Sequence, residues 1–550
     1  MIDTPALPAA MAYNYPLLIK YLLQAPLAHA PEQEIVYREL RRHTYRDLHE
    51  RICRLANVLT DMGVKPGDTV AVMDWDSHRY LECFFAVPMI GAVLHTINVR
   101  LSPEQILYTI DHAEDDVLLV HSDFLPILEQ IRGRIDTVKS YILLDDGGSH
   151  HESHLSFTGE YEALLAGASP SFDFPDFDEN SRATTFYTTG TTGMPKGVFF
   201  SHRQLVLHTF GIMGALGTPA VQGRFHRDDV YMPITPMFHV HAWGMPYLAT
   251  TMGVKQVYPG RYVPEHLLEL IGKEQVTFSH CVPTILHMLL KNDMSRRVDL
   301  SRWKIIIGGS AMTRSLCLEA MGRGIDVFTG YGMSETCPIL TFAHLSKEML
   351  SAEPEKQAEI RCKTGRPIPF VNLRLVDEAL HDLPHDGSQT GEMVVRAPWL
   401  TQGYLKDHRN SDKLWEGGWL HTNDVATIDD KGYAKISDRI KDVIKVGGEW
   451  VSSLELEDIL LHHPAVLEAA VIALPDDKWG ERPLALVVLR EGEAGKATEK
   501  EIQHHVRDYA DKGVVSKQVV LLKVRFVEAI DKTSVGKINK RVLREKYREG

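Results

Sequence analysis

The sequence predicts an α/β fold with a large N-terminal domain of mostly parallel sheets, a β-rich subdomain and a small α+β C-terminal domain. Helix-type and strand-type apolar patterns alternate along the first part of the chain, and such alternation is typical of parallel sheets covered by helices. From about Asn372 the pattern changes to short β-type runs separated by turn residues. After Ser437 a compact unit with both periodicities follows, so we place a domain boundary between residues 437 and 438.

Individual elements follow from hydrophobic periodicity, with period-3.6 patterns predicting helices and short β-branched runs predicting strands. The first predicted helices cover residues 45–62 and 103–112, and the first predicted strands cover residues 69–73, 116–120 and 138–144. The alternation returns later with predicted strands at residues 275–280, 304–307 and 326–329.

The β-rich subdomain is predicted from the runs LRLVDE, GEMVVRAP and GYAKISD, which are bounded by turn residues and close the N-terminal domain. In the last unit, the patterns predict helices at residues 453–461 and 500–509 and strands at residues 466–473 and 484–489. This unit is long enough to fold as a separate small domain.

Composition excludes several classes of protein. The chain has 550 residues, of which 44% are hydrophobic and 24% are charged, as is ordinary for a multidomain globular protein. The net charge of −13 argues against nucleic acid as the main partner. The longest strongly apolar run, residues 84–94, is interrupted by Pro88 and Gly91 and is too short to cross a bilayer, so no transmembrane segment is expected.

Six scattered cysteines and the lack of a secretory signal pattern predict a reducing, cytoplasmic location. The sequence leaves peripheral membrane contact and a homodimer open.

Residues 187–197, YTTGTTGMPKG, are the most informative local pattern. Glycines let backbone amides approach an anion, hydroxyls add donors, and a lysine adds a mobile positive charge for phosphate oxygens. A Walker A loop is excluded because Lys196 lies between Pro195 and Gly197. We predict a different phosphate-binding loop, between two strands, with Ser201 as the N-cap of the next helix. The candidate ligands are Thr188, Thr189, Gly190, Thr191, Thr192, Gly193 and Lys196.

This string resembles the phosphate-binding loop of the adenylate-forming enzymes, the superfamily of acyl-CoA synthetases, luciferases and peptide-synthetase adenylation domains. The resemblance implies ATP, Mg²⁺ and coenzyme A as cofactors and a small-molecule carboxylic acid as substrate. It also implies an adenylation and acyl-binding domain over residues 1–437 and a mobile domain over residues 438–550, with the ATP site at their interface. The other matching strings are PMFHVHAWG at 236–244, GGS at 308–310, GYGMSET at 330–336, HTND at 421–424, DRIKDVIKVGGEWVSSLELE at 438–457 and KTSVGKINKR at 532–541.

By resemblance, the nucleotide binds to motifs of the N-terminal domain and to Arg439 just after it. Glu335 is expected to bind Mg²⁺, which favours a carboxylate together with phosphate oxygens. Tyr331 is expected to stack on adenine, with core packing as the competing interpretation, and Asp424 to accept hydrogen bonds from the ribose hydroxyls. Other expected nucleotide-binding residues are Gly308, Gly309, Ser310, Gly332, Ser334 and Arg439.

Two positions near Arg439 depart from the family's pattern. Asn423 stands where the family usually has Gly, and Asn tolerates left-handed backbone well enough to preserve the turn. Ser437 and Asp438 replace the usual Gly before Arg439, which weakens the transfer of the family's role to that arginine.

The resemblance gives the C-terminal domain its own roles. Lys537 matches the lysine that contacts the carboxylate and the α-phosphate during adenylation, where an ammonium can balance developing charge. Lys441 matches the hinge about which the small domain rotates, and Lys445, Gly447 and Gly448 follow it, the glycines in the loop that lines the pantetheine channel. A solvated lysine and a simple glycine turn are the competing interpretations.

Three residues are expected at the acyl group. His239 fits the family's PxFH histidine, where acyl and thiol groups meet, and Trp243 resembles the gate tryptophan of long-chain fatty acyl-CoA synthetases. A buried structural aromatic is the competing interpretation for Trp243. Gly332 stands where acetyl-CoA synthetases carry a tryptophan that closes the acyl pocket, so we expect an open pocket.

The sequence therefore predicts an AMP-forming carboxylate–CoA ligase for a medium- or long-chain fatty acid, acting through an acyl-AMP intermediate. The alternatives are an aryl or cyclic carboxylate–CoA ligase, a carrier-loading adenylation domain and a luciferase-like monooxygenase. PMFHVHAWG lacks the aspartate that usually anchors an amino group, which disfavours an amino acid substrate. The expected catalytic residues are Lys196, His239, Glu335 and Lys537.

Overall fold

The computed structural model describes residues 9–147, 153–188, 194–446, 449–493, 495, 497–512, 515, 517–532 and 538–547. Mostly parallel sheets and covering helices make up the N-terminal part, followed by a separate antiparallel sheet and a further sheet with its own helices. The predicted fold class is confirmed.

The strands are β1 (Glu34–Tyr37), β2 (Arg41–Thr44), β3 (Thr69–Met73), β4 (Val93–Thr96), β5 (Asp115–His121), β6 (Ser140–Leu144), β7 (Phe157–Glu160), β8 (Arg182–Thr188), β9 (Lys196–Ser201), β10 (Val230–Pro233), β11 (Lys255–Tyr258), β12 (Phe278–Cys281), β13 (Lys304–Ile307), β14 (Asp326–Gly332), β15 (Ile339–Phe342), β16 (Arg366–Pro367), β17 (Asn372–Val376), β18 (Gly391–Arg396), β19 (Leu420–Ile428), β20 (Ala434–Arg439), β21 (Ile444–Val446), β22 (Glu449–Val451), β23 (Val466–Asp476), β24 (Gly480–Leu489) and β25 (Lys523–Phe526).

The helices are α1 (Gln24–His29), α2 (Tyr45–Asp61), α3 (His78–Met89), α4 (Pro103–Ala113), α5 (Leu125–Ile131), α6 (Tyr161–Gly167), α7 (His202–Gly217), α8 (Val240–Trp243), α9 (Met245–Met252), α10 (Pro264–Glu274), α11 (Pro283–Lys291), α12 (Arg314–Gly322), α13 (Pro354–Arg361), α14 (His408–Leu414), α15 (Ser453–Leu461), α16 (Glu499–Asp511) and α17 (Lys540–Lys546).

Two mostly parallel sheets form the N-terminal part. The first has the order β16-β15-β14-β13-β12-β10-β11-β1-β2, with antiparallel pairs at its edges. The second has the order β7-β6-β5-β3-β4-β8-β9, and its antiparallel edge pair is β8 with β9. The buried strand β3, TVAVM, is a continuous apolar or β-branched run, as expected for a parallel strand covered on both faces.

The remaining sheets are built mainly from antiparallel pairs. The order β17-β18-β19-β20 forms the predicted β-rich subdomain. The last sheet has the order β22-β21-β24-β23, and β25 pairs with β24 in parallel. Two apolar clusters around this last sheet draw only on residues from Ile444 onwards.

Helix starts follow local sequence signals. Thr44 with Asp47, Ser102 with Gln105, and Ser201 with Gln204 form capping boxes in which each side chain accepts the other's backbone N–H. The predicted N-cap at Ser201 is confirmed. One predicted strand is too long at its start, because Gln275 ends α10 in a left-handed conformation (φ 57°) and the strand begins only at Phe278.

No helix in the described part of the chain is both long and apolar enough to span a lipid bilayer.

Candidate active site

The phosphate-loop motif is carried by the antiparallel hairpin of β8 and β9, in which Thr188 pairs with Lys196. The ring of Tyr187 lies across Gly197, where a Cβ atom would be 3.2 Å from ring carbons. The absence of a side chain at Gly197 therefore lets the two strands close tightly. The expected ligands Thr189, Gly190, Thr191, Thr192 and Gly193 lie outside the described residues.

Lys196 and Glu335 meet through Tyr404. The ammonium of Lys196 lies 4.6 Å from the centre of the Tyr404 ring, and the Tyr404 hydroxyl donates to Oε1 of Glu335 at 2.7 Å. Burial and the nearby Glu335 carboxylate raise the pKa of Tyr404 above its usual range, so the phenol stays a donor. A cleft of about 230 Å³ opens beside Lys196 and Tyr404. Tyr404, which lines the cleft with Lys196, therefore contacts that cation with its ring and the Glu335 carboxylate with its hydroxyl.

The segment from Thr401 to Leu405 ties these elements together. The backbone N–H of Thr401 donates to the Glu335 carbonyl at 2.9 Å, and its hydroxyl donates to the Phe199 carbonyl at 2.9 Å. The N–H of Leu405 donates to the Gly197 carbonyl at 2.8 Å. Sequence reasoning missed Thr401 and Tyr404; their only local signal is the string PWLTQGYL between two strands, which has two aromatic residues and one glycine.

A second group of expected nucleotide residues meets at the β-rich sheet. The Tyr331 hydroxyl donates to Oδ2 of Asp424 at 2.6 Å, and Nε of Arg439 lies 2.8 Å from Oδ1. Burial, followed by the Asp424 carboxylate, raises the pKa of Tyr331 well above its usual range. Each carboxylate oxygen can accept a further hydrogen bond, so the arrangement leaves Asp424 with acceptor capacity for ligand hydroxyls.

Both departures from the family's pattern have a local explanation. Asn423 adopts the left-handed conformation expected for it (φ 55°) and donates its N–H to Oε1 of Glu392 at 2.9 Å. Asp438 is buried, and its Oδ1 accepts the backbone N–H of Arg439 at 2.8 Å. The aspartate therefore fixes the backbone of Arg439 where the family's usual glycine could not.

The glycines of the GGS motif are required for different reasons. A Cβ atom on Gly308 would lie 2.8 Å from the Gly330 carbonyl oxygen and 2.9 Å from the Trp243 ring. Gly309 has φ 78°, in the left-handed region. Ser310 is exposed beside them, and Ser334 is half-buried at the turn before Glu335.

Gly332 does not have the role expected at the acyl pocket. A Cβ atom there would lie only 1.7 Å from the Pro338 carbonyl oxygen, so it would point into the backbone and not into an open tunnel. The expectation that the missing side chain at Gly332 opens the pocket is wrong, because the glycine is required by the close approach of two backbone segments.

The PMFHVHAWG motif forms a left-handed turn. Val240, His241, Ala242 and Trp243 have φ between 47° and 60°, and Gly244 follows with φ 73°. Positive φ is unusual for non-glycine residues, above all for a β-branched one. His239 is half-buried just before this turn. Trp243 is 5% exposed, and its ring centre lies 5.0 Å from that of His280.

His241 is enclosed by aromatic rings. It is fully buried, neither ring nitrogen has a hydrogen-bond partner among the described residues, and burial lowers its pKa to about 3. Its ring centre lies 5.3 Å from that of Phe186 and 5.8 Å from that of Phe84. His241 is therefore neutral at physiological pH.

The expected residues of the C-terminal unit are only partly described. Lys441 lies just after β20, and partial desolvation lowers its pKa. Lys445 lies in β21, where its backbone N–H donates to Oε2 of Glu481 at 2.7 Å. Gly447, Gly448 and Lys537 lie outside the described residues.

Comparison with known proteins identifies the family to which these motifs belong. Residues 23–405 match the AMP-binding enzyme family, and residues 455–537 match the AMP-binding enzyme C-terminal domain. The chain is 42% identical over 515 residues to a long-chain-fatty-acid–CoA ligase of Thermus thermophilus, covering 93% of this chain and 91% of the relative. It is 40% identical over 502 residues to a 3-methylmercaptopropionyl-CoA ligase of Ruegeria pomeroyi, covering 90% of each chain.

A solved structure of a fatty acyl CoA synthetase from Mycobacterium tuberculosis superposes with a TM-score of 0.70 at 27% identity, covering 96% of this chain and 98% of that one. The order of the motifs, the family matches and these relatives agree. The chain belongs to the AMP-binding enzyme family, as an acyl-CoA synthetase of the adenylate-forming kind.

Proposed function

We propose that the protein joins ATP to a medium- or long-chain fatty acid to form acyl-AMP, and then transfers the acyl group to CoA. The observation that carries the proposal is the presence of two groups of side chains that suit the two parts of a nucleotide. Lys196, Tyr404 and Glu335 form an end suited to polyphosphate, and Tyr331, Asp424 and Arg439 form an end suited to a nucleoside.

In the first step, a carboxylate oxygen of the acid bonds to the α-phosphorus of ATP while the bond to the bridging oxygen breaks, and pyrophosphate leaves. Charge builds up on phosphate oxygens, so fixed positive groups lower the barrier. Lys196 supplies such a charge at the hairpin, and its place over the Tyr404 ring limits where the ammonium can go. Lys537 is proposed to add a second charge at the α-phosphate.

At the nucleoside end, the spare acceptor capacity of Asp424 would take the ribose hydroxyls, and Tyr331 would offer its ring to adenine. Arg439 orients the Asp424 carboxylate through its contact of 2.8 Å. Backbone around Gly308 and Gly309 can approach a base closely because neither residue carries a side chain.

The residues present fit Mg²⁺ as the metal partner of ATP. Among the described residues no group of three metal-ligating side chains occurs, and Glu335 offers one carboxylate, bonded to the Tyr404 hydroxyl, next to a cleft that Lys196 and Tyr404 line. Mg²⁺ commonly takes one or two carboxylates together with phosphate oxygens and water, which matches such a site. When bound, the ion would neutralise charge on the polyphosphate. Tyr404 holds the Glu335 carboxylate by a hydrogen bond, which leaves Oε2 for the ion.

In the second step, the sulfur of CoA bonds to the acyl carbon, AMP leaves and the thiol proton is released. His239 is proposed to lie where these groups meet, and Trp243 to form a wall of the acyl site. Support comes from the apolar surroundings of the turn, where Phe84, Phe186 and Tyr247 pack around His241.

The C-terminal unit is proposed to begin at residue 438 and to rotate about Lys441, with Lys445, Gly447 and Gly448 near the pantetheine arm of CoA. Apolar clusters that draw only on residues from Ile444 onwards support an independent core. A cytoplasmic location is also proposed, since all six cysteines are free thiols. A homodimer stays a prediction, which sedimentation would test.

The test uses the whole chain with ATP, Mg²⁺ and straight-chain acids from C2 to C16, together with benzoate and 3-(methylthio)propionate. We expect acid-dependent exchange of pyrophosphate into ATP without CoA, and a thioester with AMP once CoA is added. Exchange without any thioester would favour a carrier-loading domain. Oxygen consumption with light emission would favour a luciferase-like enzyme, and preference for benzoate would favour an aryl ligase.

A further inference from the structure

A buried polar network links the end of β20, just before the proposed hinge at Lys441, to α17. Its members are Asp438, Ser453, Glu457 and Lys540, which are at most 8% exposed. Lys540 lies in the terminal KTSVGKINKR motif but is not one of the residues to which the family resemblance assigned a role. Four polar side chains in one buried cluster are costly unless each is paired, so their partners are informative.

Each contact of the network is specific. Nζ of Lys540 lies 2.8 Å from Oε1 of Glu457 and donates to the Ser453 hydroxyl. That hydroxyl donates to Oδ2 of Asp438, which also accepts the Ser453 N–H at 2.6 Å. Oε1 of Glu457 accepts the N–H of Val471 at 2.8 Å. The ammonium is therefore shared between a hydroxyl and a carboxylate that are both held by other groups.

The charges of the network suit these contacts. Burial raises the pKa of Asp438 and of Glu457, and the Lys540 ammonium opposes that effect on both. Burial alone would lower the pKa of Lys540, but the carboxylates of Glu457 and Asp438 outweigh it and raise the pKa. Lys540 is thus a charged, fully engaged residue and not a solvated tail lysine.

The network continues into the nucleotide end of the site. Oδ1 of Asp438 accepts the backbone N–H of Arg439, and Arg439 contacts Asp424, which accepts the Tyr331 hydroxyl. An unbroken path of polar contacts therefore runs from Lys540 to Tyr331.

The same path crosses the proposed hinge at Lys441. Asp438 precedes Lys441 in the chain, whereas Ser453, Glu457 and Lys540 follow it. Two more contacts cross it in parallel, from the Ser452 hydroxyl to the Ser437 carbonyl and from Lys435 to Glu455 at 2.9 Å. A rotation about Lys441 would have to break these contacts.

Resting on the proposed function, we propose that Asp438, Ser453 and Lys540 are positioning residues that dock the part of the chain beyond Lys441 onto β20 for adenylation and hold Arg439 against Asp424. The network acts on ATP binding and acyl-AMP formation, and it is dispensable once acyl-AMP is present.

The main variant is the double change Lys540→Met with Glu457→Gln, which removes one buried charge of each sign and so leaves the net charge of the network unchanged, with Asp438 still bonded to Ser453 and to the Arg439 N–H. We expect the dissociation constant of ATP, measured by calorimetry on the full chain, to rise about tenfold. Acid-dependent pyrophosphate exchange should fall about tenfold or more, and thioester formation from supplied acyl-AMP should stay within about twofold. The single change Lys540→Arg keeps a positive charge at this position, so this variant should retain most of the wild-type pyrophosphate exchange.

The matched control is Lys546→Met, which removes an exposed lysine from the same helix and should match the wild type. Ser453→Ala removes only the bridging hydroxyl and serves if the double variant does not fold. Equal losses in both half-reactions, or an unchanged ATP affinity in a folded variant, would overturn the proposal. A wild type that binds ATP but makes no thioester would refute the proposed function alone, because the ATP affinities still test the network.

Discussion

The ammonium of Lys196 lies over the ring of Tyr404, 4.6 Å from its centre, while the hydroxyl of the same tyrosine donates to Glu335. A cation over an aromatic face is attracted by the ring's negative quadrupole. Tyr404 therefore positions two oppositely charged side chains from separate strands and turns, and this double contact makes its two functions separable by mutation.

Tyr404→Phe keeps the ring under Lys196 but removes the hydroxyl that holds Glu335. A hydrogen bond to a charged group contributes about 1.5–3 kcal/mol, so we expect pyrophosphate exchange to fall about tenfold or more and to require more Mg²⁺. The measurement is the exchange rate as a function of Mg²⁺ concentration. Tyr433→Phe, which removes a hydroxyl bonded to the His344 carbonyl, is the control. An unchanged Mg²⁺ requirement would contradict the role given to Glu335.

Lys537→Ala tests the charge proposed at the α-phosphate. We expect acyl-AMP formation to fall by about 10² or more, because the variant lacks an ammonium that stabilises the transition state of that step only. Thioester formation from supplied acyl-AMP should be largely intact. The control is Lys532→Ala, which removes an ion pair with Glu468 in the same terminal segment. Equal loss in both half-reactions would remove Lys537 from the adenylation step.

Chain length is the next test. An apolar acyl site should reward each added methylene by up to about 0.8 kcal/mol, or near fourfold in kcat/KM, until the site is full. We therefore expect kcat/KM to rise from C2 through the medium-chain acids, with acetate a poor substrate. A preference for acetate, or for 3-(methylthio)propionate over every straight chain, would refute a fatty acid as the substrate. The proposed CoA ligase activity would still hold.

Gly332→Ala tests the close approach that corrected our expectation for the acyl pocket. The new Cβ atom would lie 1.7 Å from the Pro338 carbonyl oxygen, so the backbone must move, and we expect loss of both thermal stability and adenylation. The control is Gly322→Ala in α12, where a Cβ atom has no neighbour within 4 Å. If Gly332→Ala is as stable as the control and merely prefers shorter acids, the pocket interpretation returns.

His241→Phe tests the pH dependence of stability. The pKa of His241 in the folded chain is lowered to about 3 from an ordinary value of 6.5, so the unfolded chain binds one more proton between these values. The contribution of neutral His241 to the free energy of unfolding is thus fully present above pH 6.5. It is lost as the pH falls from 6.5 towards 3, by about 1.4 kcal/mol per pH unit. We expect the thermal midpoint of the variant to fall less steeply below pH 6.5.

The control for this prediction is His504→Gln, a change at an exposed histidine of α16, which should follow the wild type. A variant whose midpoint falls in parallel with the wild type between pH 6.5 and 4 would show that His241 is not the titrating group.

Local signals predicted much of the fold. The period-3.6 pattern located α2 and α4, and the apolar run of β3 was located to the residue. Asn423 was expected in a left-handed turn and adopts it. Helices, strands and turns of this kind depend on residues only a few positions apart, so local sequence patterns can predict them.

Contacts between distant segments were not predictable. Tyr404 reaches Glu335 across 69 positions, and Lys540 reaches Ser453 across 87. Pro338 is close to Gly332 in the sequence, yet only the folded chain shows that its backbone occupies the space that a side chain at position 332 would need. The family resemblance suggested an open acyl pocket at Gly332 and did not indicate the close approach of the Pro338 backbone.

The left-handed run from Val240 to Trp243 has a consequence for protein engineering. Each non-glycine residue in this conformation costs roughly 1–2 kcal/mol relative to a right-handed one, and a β-branched valine is among the least suited to it. Replacing a residue of this motif by one that suits the left-handed conformation should therefore stabilise the fold next to the proposed acyl site. A library that introduces asparagine or glycine at Val240 would be expected to return heat-resistant clones, and the same clones would reveal whether catalysis depends on that strain.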